Sequence, residues 1–194
     1  MKAVLLRLIR LSGRLWCRLR GAEVASSALI HGWPRIKVGK GGRILLADGC
    51  TLNTAGWSNP LNDGRKTVLF TGKGACIRLE RNAGISSSRL IAFSSITLGE
   101  DSLIGAGCLI CDSDMHELPL LSGKPVRSAP IHIGRRVFVG AGCTILKGVT
   151  IGDGAIIGAG TVVSKDVPPT ALAVGNPMAT RPCPPSWQGD AAIS

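Results

Sequence analysis

The second half of the chain repeats an aliphatic side chain at every sixth position, in most cases with glycine directly after it. A small or β-branched residue stands four positions after each member of the series. An α-helix repeats its apolar face about every 3.6 residues and a single strand every 2, so a period of six indicates short strands separated by regular corners. The pattern predicts a parallel β-helix with these inward positions: Ile133, Val139, Ile145, Ile151, Ile157 and Val163, accompanied by Val137, Cys143, Val149, Ala155, Thr161 and Val167.

The same period continues upstream as far as Leu98 and stops after Ile110. Residues 112–130 show no periodicity. A break of this kind in a solenoid indicates a loop that projects from one coil, and long irregular loops in compact folds are often functional. We therefore predict one protruding loop over residues 111–130. Weaker copies of the repeat occur nearer the N-terminus, but the stretch between Leu52 and Leu79 is too irregular to assign to individual coils.

The N-terminal segment is strongly basic. Before the first acid, Glu23, come six positive residues that make up over half of the formal net charge of +11: Lys2, Arg7, Arg10, Arg14, Arg18 and Arg20. Four of the arginines follow helical spacing beside apolar residues, which predicts a basic amphipathic helix. Arginines interrupt every apolar run, which argues against a signal peptide and a membrane span. The helix either lies on an anionic membrane surface, or caps the first coil or packs between subunits. An acidic polymer is the remaining candidate partner.

The composition fits one solenoid domain. A chain of 194 residues with 45% hydrophobic content can form a single core, and 4% aromatic residues with 26 glycines suit narrow coils with tight corners. We predict an N-terminal helical segment over residues 1–30, the β-helix over 31–168 and a C-terminal tail over 169–194.

Seven cysteines, an odd number, are present. Cys50, Cys108 and Cys143 occupy inner positions of the repeat, which predicts buried reduced thiols and hence a reducing compartment, the cytoplasm. Cys108 and Cys111 form a CxxC motif without a second pair, so neither zinc binding nor redox chemistry is favoured.

The stretch from Gly84 to Pro177 resembles the hexapeptide-repeat acyltransferases. The resemblance rests on the segments ITLGEDSLIGAGCLICDSDMHE, PIHIGRRVFVGAGCTILKGVTIGDGAIIGAGTVVSKDVPP and AVGNP. Among these enzymes the chain is most similar to the sugar and polysaccharide O-acetyltransferases, relatives of galactoside and maltose acetyltransferases. The resemblance implies a left-handed coil, acetyl-coenzyme A as co-substrate, and a homotrimer with each active site between neighbouring subunits. The general crossover rule favours the opposite hand, so left-handedness follows from the resemblance alone.

The candidate catalytic residues lie in the predicted loop. Transfer of an acetyl group to a sugar hydroxyl needs a base for the hydroxyl proton, and histidine, with a pKa of about 6.5, is the usual one. His116 lies in this loop, and its HE motif matches the catalytic position of the family. We predict His116 as the general base, Asp114 as the first candidate to orient its ring, and Glu117 as the second.

The other two histidines do not suggest a metal site. His132 lies between two inward isoleucines and should point outward, and the sequence gives His31 no partner. A zinc-dependent carbonic anhydrase on the same solenoid would need three imidazoles around one ion. We therefore predict no metal.

The resemblance implies coenzyme-binding positions at Ala141, Ala159, Ser164 and Lys165. The backbone amides of the two alanines would bind the pantetheine arm or the developing oxyanion, and Lys165 would bind the phosphates. Where the galactoside enzymes carry an arginine after the G-x-P turn, this chain has Ala179. Arg181 is the candidate that takes over nucleotide recognition.

The acceptor side departs from the galactoside enzymes. Ile85 and Phe93 stand where those enzymes carry an asparagine and an aspartate, so a simple thiogalactoside is disfavoured. The serine run after Ile85 and the GWSNPL segment are similar to the branch that modifies polysaccharides. We predict acceptor binding by Ser86, Ser87 and Asp112.

These features predict an acetyl-CoA-dependent O-acetyltransferase that acts on a sugar or surface-polysaccharide unit by direct transfer, in the cytoplasm, with peripheral contact at the inner membrane face as an open question. An N-acetyltransferase of an amino or nucleotide sugar and a non-catalytic solenoid scaffold remain alternatives. No nucleic-acid partner is predicted.

Overall fold

The computed structural model describes residues 2–62 and 64–184. One helix, α1 (Lys2–Leu19), precedes short strands that form three sheets. The first sheet contains, in spatial order, β1 (Glu23–Val24), β4 (Arg43–Leu46), β7 (Cys76–Leu79), β10 (Ser95–Leu98), β13 (Ile131–Ile133) and β16 (Thr150–Ile151). The second contains β2 (Leu29–His31), β5 (Thr51–Asn53), β8 (Gly84–Ser86), β11 (Leu103–Ile104), β14 (Phe138–Val139), β17 (Ile156–Ile157), β19 (Ala171–Val174) and β20 (Ala179–Pro182). The third contains β3 (Arg35–Val38), β6 (Val68–Thr71), β9 (Arg89–Ala92), β12 (Leu109–Cys111), β15 (Thr144–Ile145) and β18 (Val162–Val163).

Successive strands enter the three sheets in turn, so each turn of the chain forms one coil of a parallel β-helix. Ile133 pairs with Ile151, and Val139 pairs with Ile157. Each partner stands three repeats further along the sequence, and equivalent side chains therefore lie directly above one another. The predicted β-helix with an N-terminal helix is confirmed. Its left-handed sense stays a prediction.

One hydrophobic core runs through the interior of the coils. The aliphatic six-residue series from Ile133 to Val163 is completely buried, and each such side chain contributes about 1.5–3 kcal/mol by leaving water. Cys108 and Cys143 are also buried, as predicted, and all seven cysteines are free thiols. Burial raises the pKa of Cys17 and of Cys50 to about 12, so both thiols stay protonated near neutral pH.

Glycines permit close packing at the corners between the second and third sheets. A Cβ atom on Gly140 would lie 2.6 Å from the nitrogen of Ala159, and one on Gly105 would lie 2.7 Å from the nitrogen of Ala141. A larger residue would push the coils apart. The corners therefore stack closely along this edge of the solenoid.

Helix α1 caps the N-terminal end of the solenoid. Its buried face carries Gly13, where a Cβ atom would lie 2.8 Å from the Gly32 carbonyl oxygen. Trp16 Nε1 donates a hydrogen bond to the Pro34 carbonyl at 2.9 Å. The helix thus packs on the first coil, which is one of the two arrangements considered from the sequence.

The outer face of α1 carries a line of leucines. Leu8, Leu11 and Leu15 are 57%, 46% and 58% exposed. Contact of this face with a membrane stays a prediction. Within residues 2–62 and 64–184, no helix is long and apolar enough to cross a bilayer.

The segment boundaries differ from those expected at both ends. Strand β1 lies before residue 31 and β2 ends at it, so the first coil begins inside the segment predicted to be helical. The six-residue period is not visible over these first strands, because the strict aliphatic series begins only at Leu98. In the predicted tail, β19 extends the second sheet beside β17, and β20 pairs antiparallel with β19. Residues 185–194 of that tail lie outside the described residues.

Two insertions interrupt the coils. The predicted loop spans residues 112–130, between β12 and β13. A second insertion, residues 54–67, joins β5 to β6 within the stretch that could not be assigned from the sequence. The first leaves the edge between the third and first sheets, and the second leaves the edge between the second and third. The third sheet therefore has one insertion at each of its two edges.

Candidate functional site

The base of the 112–130 loop is fixed by Asp112. Its side chain is 0% exposed. Its Oδ1 accepts a hydrogen bond from the Phe93 amide at 2.7 Å, and its Oδ2 accepts one from the Ser94 amide at 2.8 Å. Burial raises the pKa of this carboxyl, and the bonds from backbone amides oppose that rise. Asp112 thus fastens the start of the loop to the preceding coil.

The stem of the loop is a short antiparallel ladder. Ser113 and Ser128 form a bridge, and the Asp114 amide donates to the Arg127 carbonyl at 3.0 Å. Asp114 Oδ1 also lies 2.7 Å from Lys147 Nζ, with the acid 18% and the lysine 31% exposed. This ion pair ties the stem to a corner of the following coil. Lys147 could not be identified from the sequence, because a corner lysine belongs to no motif.

His116 follows directly after this stem and is exposed, while Glu117 is partly buried. Three of the predicted residues, Asp114, His116 and Glu117, lie within four consecutive positions of the loop. The Asp114 carboxylate holds the stem through Lys147 in this structure. A direct action of Asp114 on the imidazole stays a prediction.

The part of the loop beyond His116 exposes apolar side chains. Leu118 is 51% exposed, Leu120 is 69% exposed and Leu121 is 95% exposed. Exposed apolar side chains clustered in this way are typical of surfaces that contact another molecule.

The two predicted coenzyme alanines lie in a column of stacked corners. This corner column consists of residues 87, 105–107, 140–142 and 158–160, and backbone bonds join its members: Gly107 to Ser87, Gly142 to Ala106, and Gly160 to Ala141. Within the described chain, the amides of Ala141 and Ala159 donate no hydrogen bond. Successive coils lie about 4.8 Å apart, so these two amides stand on adjacent coils about that distance apart.

The other predicted coenzyme residues do not join this column within one chain. Ser164 and Lys165 follow β18 and are exposed at the opposite edge of the third sheet, which is also the edge that the 112–130 loop leaves. Arg181 lies on β20, in register with Leu172 of the second sheet. Their roles in coenzyme binding stay predictions.

The three residues predicted to bind the acceptor are all buried, but their contacts differ. Ser86 Oγ accepts a hydrogen bond from Asn53 Nδ2 at 3.2 Å, and the Ser87 amide donates to the Asn53 carbonyl at 2.8 Å. Ser87 also lines a surface cleft. Asp112 differs from expectation, because backbone amides occupy both of its oxygens and its side chain does not reach the surface. Its observed position is that of an anchor for the loop.

His132 points outward from β13 and is exposed, as alternation predicted. His31 is partly buried, with its ring 5.5 Å from that of Trp57 in an edge-on contact. Burial, together with nearby Arg10, lowers the pKa of His31. Across residues 2–62 and 64–184, no group of three or more His, Cys, Asp and Glu side chains is arranged to hold a metal ion.

The repeat itself defines the class of protein. Residues 130–165 match the family model for bacterial transferase hexapeptide (six repeats). This segment contains β13 to β18, the most regular coils of the structure. The resemblance to hexapeptide-repeat transferases is therefore confirmed.

Particular proteins extend this likeness. A putative acetyltransferase of Staphylococcus aureus is 57% identical over 51 residues, which is 26% of this chain and 26% of that protein. A putative acetyltransferase of Schizosaccharomyces pombe is 42% identical over 84 residues, or 42% of this chain and 40% of that protein. The match thus spans less than half the length of these curated relatives.

Two solved structures share the fold. The crystal structure of the polySia-specific acetyltransferase NeuO superposes with a TM-score of 0.55 at 22% identity, covering 84% of this chain and 80% of that one. Galactoside acetyltransferase in complex with coenzyme A gives a TM-score of 0.56 at 20% identity, covering 97% and 87%.

Proposed function

We propose that this protein is an acetyl-CoA-dependent O-acetyltransferase that modifies a sugar unit of a polysaccharide. The observation that carries the proposal is the anchored loop, in which Asp112 and the Asp114–Lys147 ion pair hold a stem that presents His116 beside a hexapeptide-repeat solenoid. The relatives are putative acetyltransferases, and one solved structure of the same fold is a galactoside acetyltransferase with coenzyme A.

His116 acts as the general base in this proposal. Its imidazole takes the proton of the acceptor hydroxyl while that oxygen forms a bond to the thioester carbonyl carbon. The tetrahedral oxyanion then collapses, the carbon–sulfur bond breaks, and the imidazolium gives its proton to the leaving thiolate. The acetyl group moves directly to the sugar, so no residue of the chain is acylated.

The corner column supports coenzyme binding. The amides of Ala141 and Ala159 lack partners in the described chain and stand on adjacent coils, where they can donate to the pantetheine arm or to the oxyanion. Alanine suits these positions because a larger side chain would cover the amides. Lys165 and Arg181 supply positive charge for the phosphates, and Ser164 lies beside Lys165.

We further infer that the active form is a homotrimer. The amides of the corner column and the 112–130 loop lie at opposite edges of the third sheet of one chain, and the loop tip exposes Leu118, Leu120 and Leu121. Docking of that tip against a neighbouring copy would bury these leucines and bring His116 to the corner column of the neighbour.

The acceptor and the location belong to the same proposal. A base that removes a proton suits a hydroxyl, which is a weak nucleophile at neutral pH. We therefore favour ester formation, with N-acetylation as the other outcome of the test. The reaction takes place in the cytoplasm, and the leucine line of α1 brings the enzyme to the inner membrane face.

The test follows release of free thiol from acetyl-CoA in the presence of defined neutral and acidic oligosaccharides, with the product identified by mass spectrometry. His116→Gln should lower turnover by about a hundredfold to ten-thousandfold, the usual contribution of a positioned base. His132→Gln is the matched control, because His132 is an exposed histidine on the first sheet, and it should keep full activity.

Hydroxylamine treatment separates the two products, since it removes an acetyl ester and leaves an amide. An amide product would show that the enzyme transfers the acetyl group to nitrogen and not to oxygen. Calorimetry with acetyl-CoA tests the scaffold alternative, because a scaffold shows no saturable binding. Full turnover by His116→Gln would refute the proposed base.

A further inference from the structure

A basic cleft lies where the 54–67 insertion meets the third sheet. Its cavity has a volume of about 560 Å³, in the range of small-ligand sites. Three elements distant in sequence supply its cationic side chains: Arg35 from β3, Arg65 and Lys66 from the insertion, and Arg89 from β9. Ser87 completes one wall.

Three of the four cationic residues of the cleft have no acidic partner among the described residues. In residues 2–62 and 64–184, no carboxylate lies within ion-pair distance of Arg35, Lys66 or Arg89. Four arginines elsewhere on the coils do have acidic partners, namely Arg43, Arg78, Arg81 and Arg135; the first lies 3.0 Å from Glu23. Like charges held together repel one another, so an arrangement of this kind indicates an anionic ligand.

The spacing of the charges favours an extended ligand. Arg35 pairs in register with Val68, and Val68 pairs with Arg89, so the two arginines lie two strands apart. At about 4.8 Å per strand, their backbones are about 10 Å apart. Separate acidic groups along a chain can contact different members of this line. Arginine also binds carboxylates in a bidentate manner.

The cleft adjoins the proposed site of acetyl transfer. Ser87 and Gly107, which line it, belong to the corner column that continues to Ala141 and Ala159. Arg89 is also in register with Leu109, three residues before Asp112 at the base of the catalytic loop. At about 3.3 Å per residue, that is about 10 Å along the strand. A glycan in the cleft could therefore extend to either edge of the third sheet.

We propose that this cleft binds an acidic glycan, and that the acceptor therefore carries negatively charged sugars next to the unit that is acetylated. Identification of the ligand as the acceptor rests on the proposed function. The cleft itself is a binding site for acidic sugar groups whether or not transfer occurs. Single-stranded nucleic acid is the competing polyanion and is an outcome of the test.

The test is calorimetry on the full chain without acetyl-CoA, with hexagalacturonate as the acidic probe and maltohexaose as its neutral counterpart. Hexagalacturonate should bind and maltohexaose should not, and affinity should fall as salt is raised. Arg35→Gln/Lys66→Gln should weaken hexagalacturonate binding by about tenfold or more, because it removes two charge-assisted contacts. Arg7→Gln/Arg136→Gln removes the same charge from exposed positions outside the cleft and should leave the affinity unchanged.

Uridine diphosphate and oligodeoxythymidylate serve as competing ligands. Tighter binding of either one than of hexagalacturonate would overturn the inference, as would equal losses in the two double variants. Competition by coenzyme A would assign the cleft to the coenzyme and would also overturn it. An inactive protein that still binds hexagalacturonate through the cleft would sink the proposed function and leave this inference standing.

Discussion

Asp112→Asn tests how the catalytic loop is held. The native carboxylate is fully buried and accepts two hydrogen bonds from consecutive backbone amides, at 2.7 and 2.8 Å. The asparagine side chain ends in one carbonyl oxygen, which accepts hydrogen bonds, and one NH2 group, which donates them. Its oxygen can keep the bond from Phe93, but its nitrogen then faces the Ser94 amide, and two donors are left without an acceptor.

The expected loss of stability follows from these contacts. A buried donor without a partner costs about 1–3 kcal/mol, and hydrogen bonds to a charged group are stronger than neutral ones. Removing a charge from a buried position returns part of this energy, since burial raises the pKa of Asp112. We expect a net decrease of about 2–4 kcal/mol in the free energy of unfolding.

Urea unfolding followed by circular dichroism measures this quantity. The matched control is Asp166→Asn, because Asp166 Oδ1 accepts a single bond from the Thr150 amide at 2.7 Å and lies exposed at a corner. That variant should lose less than about 1 kcal/mol, since water satisfies its amide. Equal effects in the two variants, or a loss below about 1 kcal/mol for Asp112→Asn, would refute the idea that burial makes this contact important.

Two further predictions concern the loop and the N-terminal cap. Lys147→Met removes the half-buried ion pair of the loop stem, so kcat should fall about tenfold because His116 is mispositioned, while the affinity for acetyl-CoA stays the same. Arg81→Met breaks an exposed ion pair elsewhere and should leave kcat unchanged. An unchanged kcat in both variants would contradict the positioning role of Lys147. Burial and nearby Arg10 lower the pKa of His31 below its ordinary 6.5. Neutral His31 therefore makes its full contribution to the free energy of unfolding above pH 6.5, and this contribution is lost as the pH falls through the lowered pKa. His31→Phe keeps an aromatic ring beside Trp57 and should flatten this decrease in thermal unfolding between pH 7.5 and 5; an unaltered pH profile would exclude His31 as its source.

The prediction of the solenoid succeeded where the repeat is strict. From Ile131 to Val163, each inward residue is read at a fixed spacing, and each is buried where that spacing requires. The prediction was less complete toward the N-terminus, where the copies of the repeat are weaker and the 54–67 insertion separates β5 from β6. Weak copies and an insertion both obscure a period that needs several consecutive copies to be visible.

Spacing along one chain was enough to predict the coil, the break in it, and His116 as the histidine of the break. Which partners meet across coils became visible in the folded molecule alone. Asp112 looked like a residue of the acceptor site, but it is buried under the amides of the preceding coil. Lys147 and the cleft between Arg35 and Arg89 could not be read from the sequence, because stacking brings together positions that are separated by whole coils of chain.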